Sequence, residues 1–475
     1  MNAGLATGHP LTTEAGAQAL AEGGTAVDAV LSAAFTAMVV EPVLCGLFGG
    51  AFLMVAPPNA APYAFDGFTR TPKTKAKELW IDRIEADFGT TRQVFHIGPG
   101  TIASPRQMDA LATAHARLGR LPWHALFAPA IAAARAGHRV TAYQAQVLQI
   151  VAPIMTATDG VRAIWAKDDA VLREGDTLTN PDLADVLEVL SHEGPRFLNE
   201  GEPGQALLAL EGHSLSPQDL TQPCDLRTAL EISRHDHRLW LTPPPALGGA
   251  MVAQALQQLP RQPSPRSVLD QIRALEEDRS TPELATVQAL PQSRRGTTHI
   301  SVIDKEGLGV ALTLSNGTGC GHIIPGTGIT PNNMLGEEDV TGCGPADWPE
   351  DSALASMMCP MAILSPEGAR TVMGSGGSAR IRSALTQTAL QLVDHGQDLA
   401  AAIAAPRVHG DLDSAHFEAW LREDERAEVL RAYPDATEWH EPSMFFGGVH
   451  GVVLSPQGHV TAAGDPRRAG HALSL

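Results

Sequence analysis

After residue 296 the chain repeats one device three times: an apolar run, a short turn containing glycine, and a second apolar run. Residues 298–304 alternate, with Ile300 and Val302 on one side and His299 and Ser301 on the other; Lys305-Glu306-Gly307 turns the chain and 310–314 returns. Residues 361–364 and 369–373 flank Ser365-Pro366-Glu367-Gly368, and 451–454 and 459–463 flank Ser455-Pro456-Gln457-Gly458. Alternation broken by such turns marks hairpins, so residues 297–475 are predicted to build a largely antiparallel sheet. A helix over 379–395 places Ile381, Leu385, Leu392 and Val393 on one face.

The first half reads mainly helical. Thr12-Thr13-Glu14 opens a helix that ends at Gly23-Gly24, and Thr25 caps the next one through Val40. Ala29, Val30, Ala33 and Ala37 give the second helix a small-residue face suited to close packing. Residues 51–55 read as a buried strand, 123–136 as a helix, and Pro260, Pro263 and Pro265 as a loop. Residues 275–295 are polar and without periodicity, so they are expected to be exposed and mobile. Helices early and hairpins late predict helical layers packed on stacked sheets.

Composition narrows the function classes. The net charge of −19 argues against a nucleic-acid partner, whose phosphates need a basic surface. Five scattered cysteines with no C-x-x-C pair form neither a disulfide scaffold nor a thiolate zinc site. The most apolar segment, 26–44, contains Asp28 and Glu41 and reads as a buried helix, not a membrane span. With no basic-then-apolar leader in the first thirty residues, a cytoplasmic location is expected.

Chemistry concentrates at Gly296-Thr297-Thr298-His299, where a hydroxyl residue opens a strand behind a polar tail. If the Gly296–Thr297 bond breaks, Thr297 gains an α-amine beside its own Oγ. Such an amine has a pKa near ~7.7–8.0 and can take the hydroxyl proton. A Thr-rich strand edge explains the same residues without chemistry. Gly374-Ser375-Gly376-Gly377-Ser378 then runs from a strand into a helix, and bare N–H groups at such a junction can stabilise an oxyanion. It lacks the Gly-Lys-Ser/Thr ending of a phosphate loop. His235-Asp236-His237 reads as strand alternation at the surface, Cys320-Gly321-His322 as a chance neighbourhood, and His299 as a structural strand residue.

The run Thr297-Thr298-His299-Ile300-Ser301-Val302-Ile303-Asp304 resembles the start of the catalytic subunit in the γ-glutamyltransferase family. Further resemblances lie at Glu22-Gly23-Gly24-Thr25-Ala26-Val27-Asp28-Ala29, Gly119-Arg120-Leu121-Pro122-Trp123, Thr242-Pro243-Pro244-Pro245 and Pro325-Gly326-Thr327-Gly328-Ile329. Asn332-Asn333-Met334, the glycine loop, Gly447-Gly448-Val449-His450 and Asp465-Pro466-Arg467-Arg468 continue the same order.

The resemblance implies an α+β fold, a four-layer αββα sandwich of the N-terminal-nucleophile hydrolase type. It also implies cleavage between Gly296 and Thr297 and γ-glutamyl transfer or hydrolysis. A helix-rich large segment, 1–296, and a small catalytic segment, 297–475, would stay intertwined in one unit. Thr297 would be nucleophile and base, Ser315 would stand for a supporting Thr, and Gly376 and Gly377 would form the oxyanion hole, where the family's glycine pair falls one place later. Glu337 would hold the substrate's amino group. Ser356 matches the first of two carboxylate-binding serines, and the second is Met357.

The sequence departs from the family most at its carboxylate-binding Arg, where Phe68 stands and Arg70 lies two residues on. Gly317 replaces a family Asn, with Asn316 beside it. An Arg fork binds carboxylate in a way Phe cannot, so three readings stand: a γ-glutamyltransferase, an acylase or amidohydrolase for another amide, or an uncut binding protein. The expected partner is a small amide substrate, with no metal or cofactor, no nucleic acid and no membrane, and with homodimerisation of the processed unit left open.

Overall fold

The computed structural model describes residues 2–87, 92–277, 296–412 and 414–475. The strands of its two large sheets are β1 Gly4–Thr7, β2 Gly50–Ala56, β3 Tyr63–Gly67, β4 Asp225–Thr228, β5 Leu230–Arg234, β6 His237–Leu241, β7 Gly296–Ile303, β8 Gly309–Gly317, β9 Met361–Leu364, β10 Arg370–Gly376, β11 Gly448–Leu454, β12 Val460–Ala463 and β13 His471–Ser474. A seven-stranded sheet runs β4-β3-β2-β8-β7-β1-β13, and a six-stranded sheet runs β5-β6-β9-β10-β11-β12. Every neighbouring pair is antiparallel.

The principal helices are α1 Pro10–Ala21, α2 Ala26–Val40, α3 Leu247–Gln258, α4 Pro265–Glu277 and α5 Arg380–Val393. The first two cover the outer face of the seven-stranded sheet, and α3 and α5 cover the six-stranded one. The result is the αββα sandwich. Along β7, Ile300 and Val302 pack under α2, whereas Ile303 joins Ala311, Val372 and Val452 between the sheets. Thr297, His299 and Ser301 share that inter-sheet parity.

Local chemistry fixes α2 in place. The Thr25 hydroxyl accepts from the Asp28 N–H at 3.3 Å, and the Asp28 carboxylate accepts from the Thr25 N–H at 2.8 Å, a reciprocal cap. The Ala26 N–H donates to Asp304 at 2.8 Å, tying the helix start to the turn after β7. Every residue of α2 is buried, and its far end delivers Glu41 and the segment 41–46 to the start of β7.

Several expectations need correction. Pro265 does not extend the loop; it is the first residue of α4, where its missing N–H costs nothing. That helix runs on through Glu277, so the backbone is still helical where a loose tail was expected from 275. Leu275 and Glu276 are buried, and Glu276 forms an ion pair with the buried Arg382. The remaining residues of that tail, 278–295, lie outside the described residues. His235 and Asp236 are not strand residues but the two positive-φ residues of the turn between β5 and β6, a primed hairpin turn. The first half also supplies more strands than the single one read from 51–55. Among the described residues, no helix is long and apolar enough to cross a membrane.

Candidate active site

Thr297 sits at a fault in the sheet. Gly296 pairs with Gly317 and Thr298 with Leu314, so one residue of β7 faces two of β8, Ser315 and Asn316. Such a bulge bends its strand and re-aims side chains. Here it turns the Ser315 hydroxyl onto the Gly296 carbonyl, to which it donates at 2.8 Å while accepting from the Gly317 N–H at 3.2 Å. The segment after α2 crosses close behind: a Cβ on Gly296 would lie 2.4 Å from the Val43 carbonyl oxygen. Gly317, at φ +65°, is equally confined, because a Cβ there would lie 2.2 Å from Asn333 Oδ1 and 2.4 Å from Glu337 Oε1.

The six-stranded sheet closes the site from the other side. A Cβ on Gly376 would lie 2.2 Å from the Thr297 carbonyl oxygen, and one on Gly374 would lie 2.3 Å from the His299 ring. Only glycine permits so close an approach. After Gly376 the chain turns through Gly377 at φ +127° and Ser378 at φ +53° into α5. Among the described residues, nothing accepts from the N–H of Gly377 or of Ser378. Arg468 Nη1 donates to the Thr297 carbonyl at 3.3 Å. Its turn is held by Asp465, which accepts from the N–H groups of Val449 and Arg467 at 3.0 Å each and pairs with Arg407 at 2.7 Å.

A third wall comes from Glu41, whose only mark in the sequence is to interrupt an apolar stretch. Its carboxylate accepts from Thr298 Oγ1 at 2.7 Å and from Thr12 Oγ1 at 3.2 Å. Burial pushes its pKa up to about 7, against the opposing pull of those hydroxyls and of the Arg468 charge. An open cleft lies beside these groups, with Gly296, Gly377 and Arg468 in its lining; aliphatic and aromatic side chains make up most of the rest, with Gln146, Thr318, Arg380 and Ser443 among them.

Comparison with known proteins gives this geometry a lineage. The gamma-glutamyltranspeptidase family model matches residues 12–267 and 264–475. The chain belongs to that family. It is 25% identical to the acylase ACY 1 proenzyme of Pseudomonas sp. (strain SE83), over 99% of this chain and 93% of that protein. It is 28% identical to the human glutathione hydrolase 5 proenzyme, over 99% and 92%. The crystal structure of cephalosporin acylase from Bacillus halodurans superposes with a TM-score of 0.83 at 20% identity, covering 99% of this chain and 95% of that one. That likeness bears on the fold.

The residues that the family resemblance singled out fall into two groups. Gly296, Thr297, Ser315, Gly376 and Gly377 come together, and Glu337 joins them across Gly317. Ser378 donates to Asp339 at 3.3 Å, linking the glycine loop to the segment that carries Glu337. The rest are engaged elsewhere. Phe68 is 2% exposed and stacked on Phe52. Arg70 donates to the Asp351 carbonyl at 2.7 Å, with the Asp351 carboxylate at 3.6 Å. Asn316 donates to the Thr330 carbonyl at 3.0 Å and packs on Gly46. Ser356 accepts from the Met358 N–H at 3.1 Å, and the Met357 backbone rests against Gly248.

The weaker sequence signals resolve as structure. Cys320 is fully buried, and burial pushes its thiol up to about 12, far from a reactive thiolate. His299 bridges Thr313 Oγ1 at 2.8 Å and Ser301 Oγ at 2.9 Å, and burial holds its pKa well below the usual histidine value. It is a neutral strut between the sheets.

Proposed function

We propose that the chain cuts itself between Gly296 and Thr297 and then uses Thr297 to transfer an acyl group from an amide to water or to an amine. The observation that carries this reading is the Ser315 hydroxyl donating to the Gly296 carbonyl, the oxygen that becomes negative when Thr297 Oγ attacks the preceding carbonyl carbon. Attack moves the acyl group from nitrogen to oxygen, and water releases the ester, leaving residues 1–296 and 297–475 associated. The freed α-amine of Thr297 then takes the proton of its own Oγ. Oγ adds to the substrate carbonyl, and the N–H groups at Gly377 and Ser378, with Gly376 alongside, receive the oxyanion. The leaving amine departs with the proton, and water or an acceptor amine resolves the acyl ester.

The second reading, an acylase for a donor other than a γ-glutamyl amide, is favoured by Phe68. Stacked on Phe52, it offers nothing to a carboxylate, and Arg70 is occupied by Asp351. Intact mass under denaturing conditions, with Thr297→Ala alongside, tests the whole scheme. Two fragments meeting at Gly296/Thr297, absent from the variant, are expected; a wild-type chain that stays whole on long incubation overturns it. Turnover of a γ-glutamyl anilide by the processed protein then separates the two donor readings.

A further inference from the structure

Three arginines gather at the turn that Asp465 holds, and they are not equivalent. Arg407 pairs with Asp465 at 2.7 Å and Arg467 with Glu418 at 2.6 Å. Arg468, only 8% exposed, has no carboxylate within 4.0 Å among the described residues; its one hydrogen bond is to the Thr297 carbonyl, and its Nε has no partner there. Glu41 is the acid in electrostatic reach, but it is occupied by Thr298 and Thr12. A buried guanidinium without a counter-charge is costly unless something else supplies one.

Arg468 lines the cleft that Gly296 and Gly377 also line. Its lining includes Val147, Ile150 and Val151 together with Trp439 and Phe445, the two rings stacked with centroids 4.8 Å apart and planes at 17°. Arg380 lies 4.7 Å over the Phe445 ring. The Tyr143 hydroxyl, in the same lining, is buried without a partner among the described residues. The cleft therefore offers aliphatic and aromatic side chains beside two guanidiniums, Arg380 and Arg468, with Gln146, Thr318 and Ser443 as further polar members of its lining.

From this arrangement we infer an acyl-binding subsite for amides whose acyl part carries an aromatic ring and a second carboxylate, the ring against Trp439 and Phe445 and the carboxylate on Arg468. It rests on the reading of Thr297 as nucleophile, since Gly296, whose carbonyl Thr297 attacks in self-cleavage, occupies the acyl position and opens on this cleft. A guanidinium suits a carboxylate by geometry as well as charge, and flat walls suit a ring.

Calorimetric titration of the purified chain with 3-phenylglutarate, 3-phenylbutyrate and glutarate tests the subsite without turnover. The first compound has both features, and each of the others lacks one. At least about tenfold tighter binding of 3-phenylglutarate than of either partner is expected. Arg468→Met should erase its advantage over 3-phenylbutyrate, Arg468→Lys should keep part of it, and Ile150→Trp, which fills the cleft, should erase its advantage over glutarate. Equal binding of the three acids by the wild-type chain overturns the subsite whatever the variants do. A chain that cuts itself and hydrolyses anilides yet shows no such preference sinks this inference alone. One that stays whole yet shows the preference sinks the nucleophile reading alone.

Discussion

Replacing Ser315 by alanine removes a single oxygen from the site, and the structure says what that oxygen does. It donates to the Gly296 carbonyl at 2.8 Å from a side chain only 6% exposed, so water has little room to take its place. A preorganised donor aimed at a developing oxyanion contributes roughly 10²–10³ in rate, about 3–4 kcal/mol of barrier. Part of this is offset, because the uncut state loses the same hydrogen bond to the Gly296 carbonyl, about 1 kcal/mol. The net expectation is self-cleavage slowed by about 100-fold. Ser315→Thr, which keeps the hydroxyl, should retain most of the rate. The assay is a time course of intact mass on freshly translated protein, with the thermal midpoint of each variant as a control on folding. If Ser315→Ala is folded and cuts as fast as wild type, the hydroxyl is only a strand-end tie and the proposed chemistry loses its support.

Two further outcomes follow from packing and from burial. Gly376→Ala should fold with a loss of about 1–3 kcal/mol and fail to cut, because its Cβ falls 2.2 Å from the Thr297 carbonyl and the obstacle is backbone, which cannot swing away; a denaturant midpoint and intact mass read both, and normal cleavage would refute the close approach. Burial lowers His9, His138 and His450 from 6.5 to about 4. The unfolded chain therefore binds more protons between those values, and their stabilisation is complete above pH 6.5 and lost as pH falls towards 4. Glu41, raised from 4.5 to about 7, works the other way, favouring the fold below 4.5 and losing that as pH rises through 7. With these three histidines, and His213, His299 and His322 lowered by burial as well, against one raised carboxyl, the urea midpoint should drop from pH 6.5 to 5, and His138→Leu should flatten the drop; a midpoint that holds or rises contradicts the burial argument.

What could be read from the sequence was whatever depends on neighbours along the chain. The Thr25 cap, the alternation of β7, the glycine turns and the junction from β10 into α5 are all local, and their residues carry the signal. The glycines at 374, 376 and 377 were also legible as a site, although the reason for the first two is a clash with β7 that no local pattern contains. The roles of Glu41 and Arg468 could not be read, although Arg468 closes one of the family-like runs, because each becomes significant only when folding sets it against Thr298 or Thr297. Leu275 and Glu276 look exposed in a charged run, and it is Arg382, far along the chain, that makes their burial tolerable. Arg70 shows the opposite limit: a two-residue offset suggested a substitute, and Asp351, distant in sequence, claims it instead.

The strand order has a consequence for how such a protein can be made. The two inner strands that follow residue 296, β7 and β8, are hydrogen-bonded on their outer sides to β1 and β2, which precede it. Either half synthesised alone would expose long unpaired edges from the middle of a sheet, a surface that invites aggregation. One continuous translation product avoids this by delivering both halves in equal number and already threaded together. The proposed nick at Gly296 would change the chemistry of one residue while leaving the β1-β7-β8-β2 ladder around it in place.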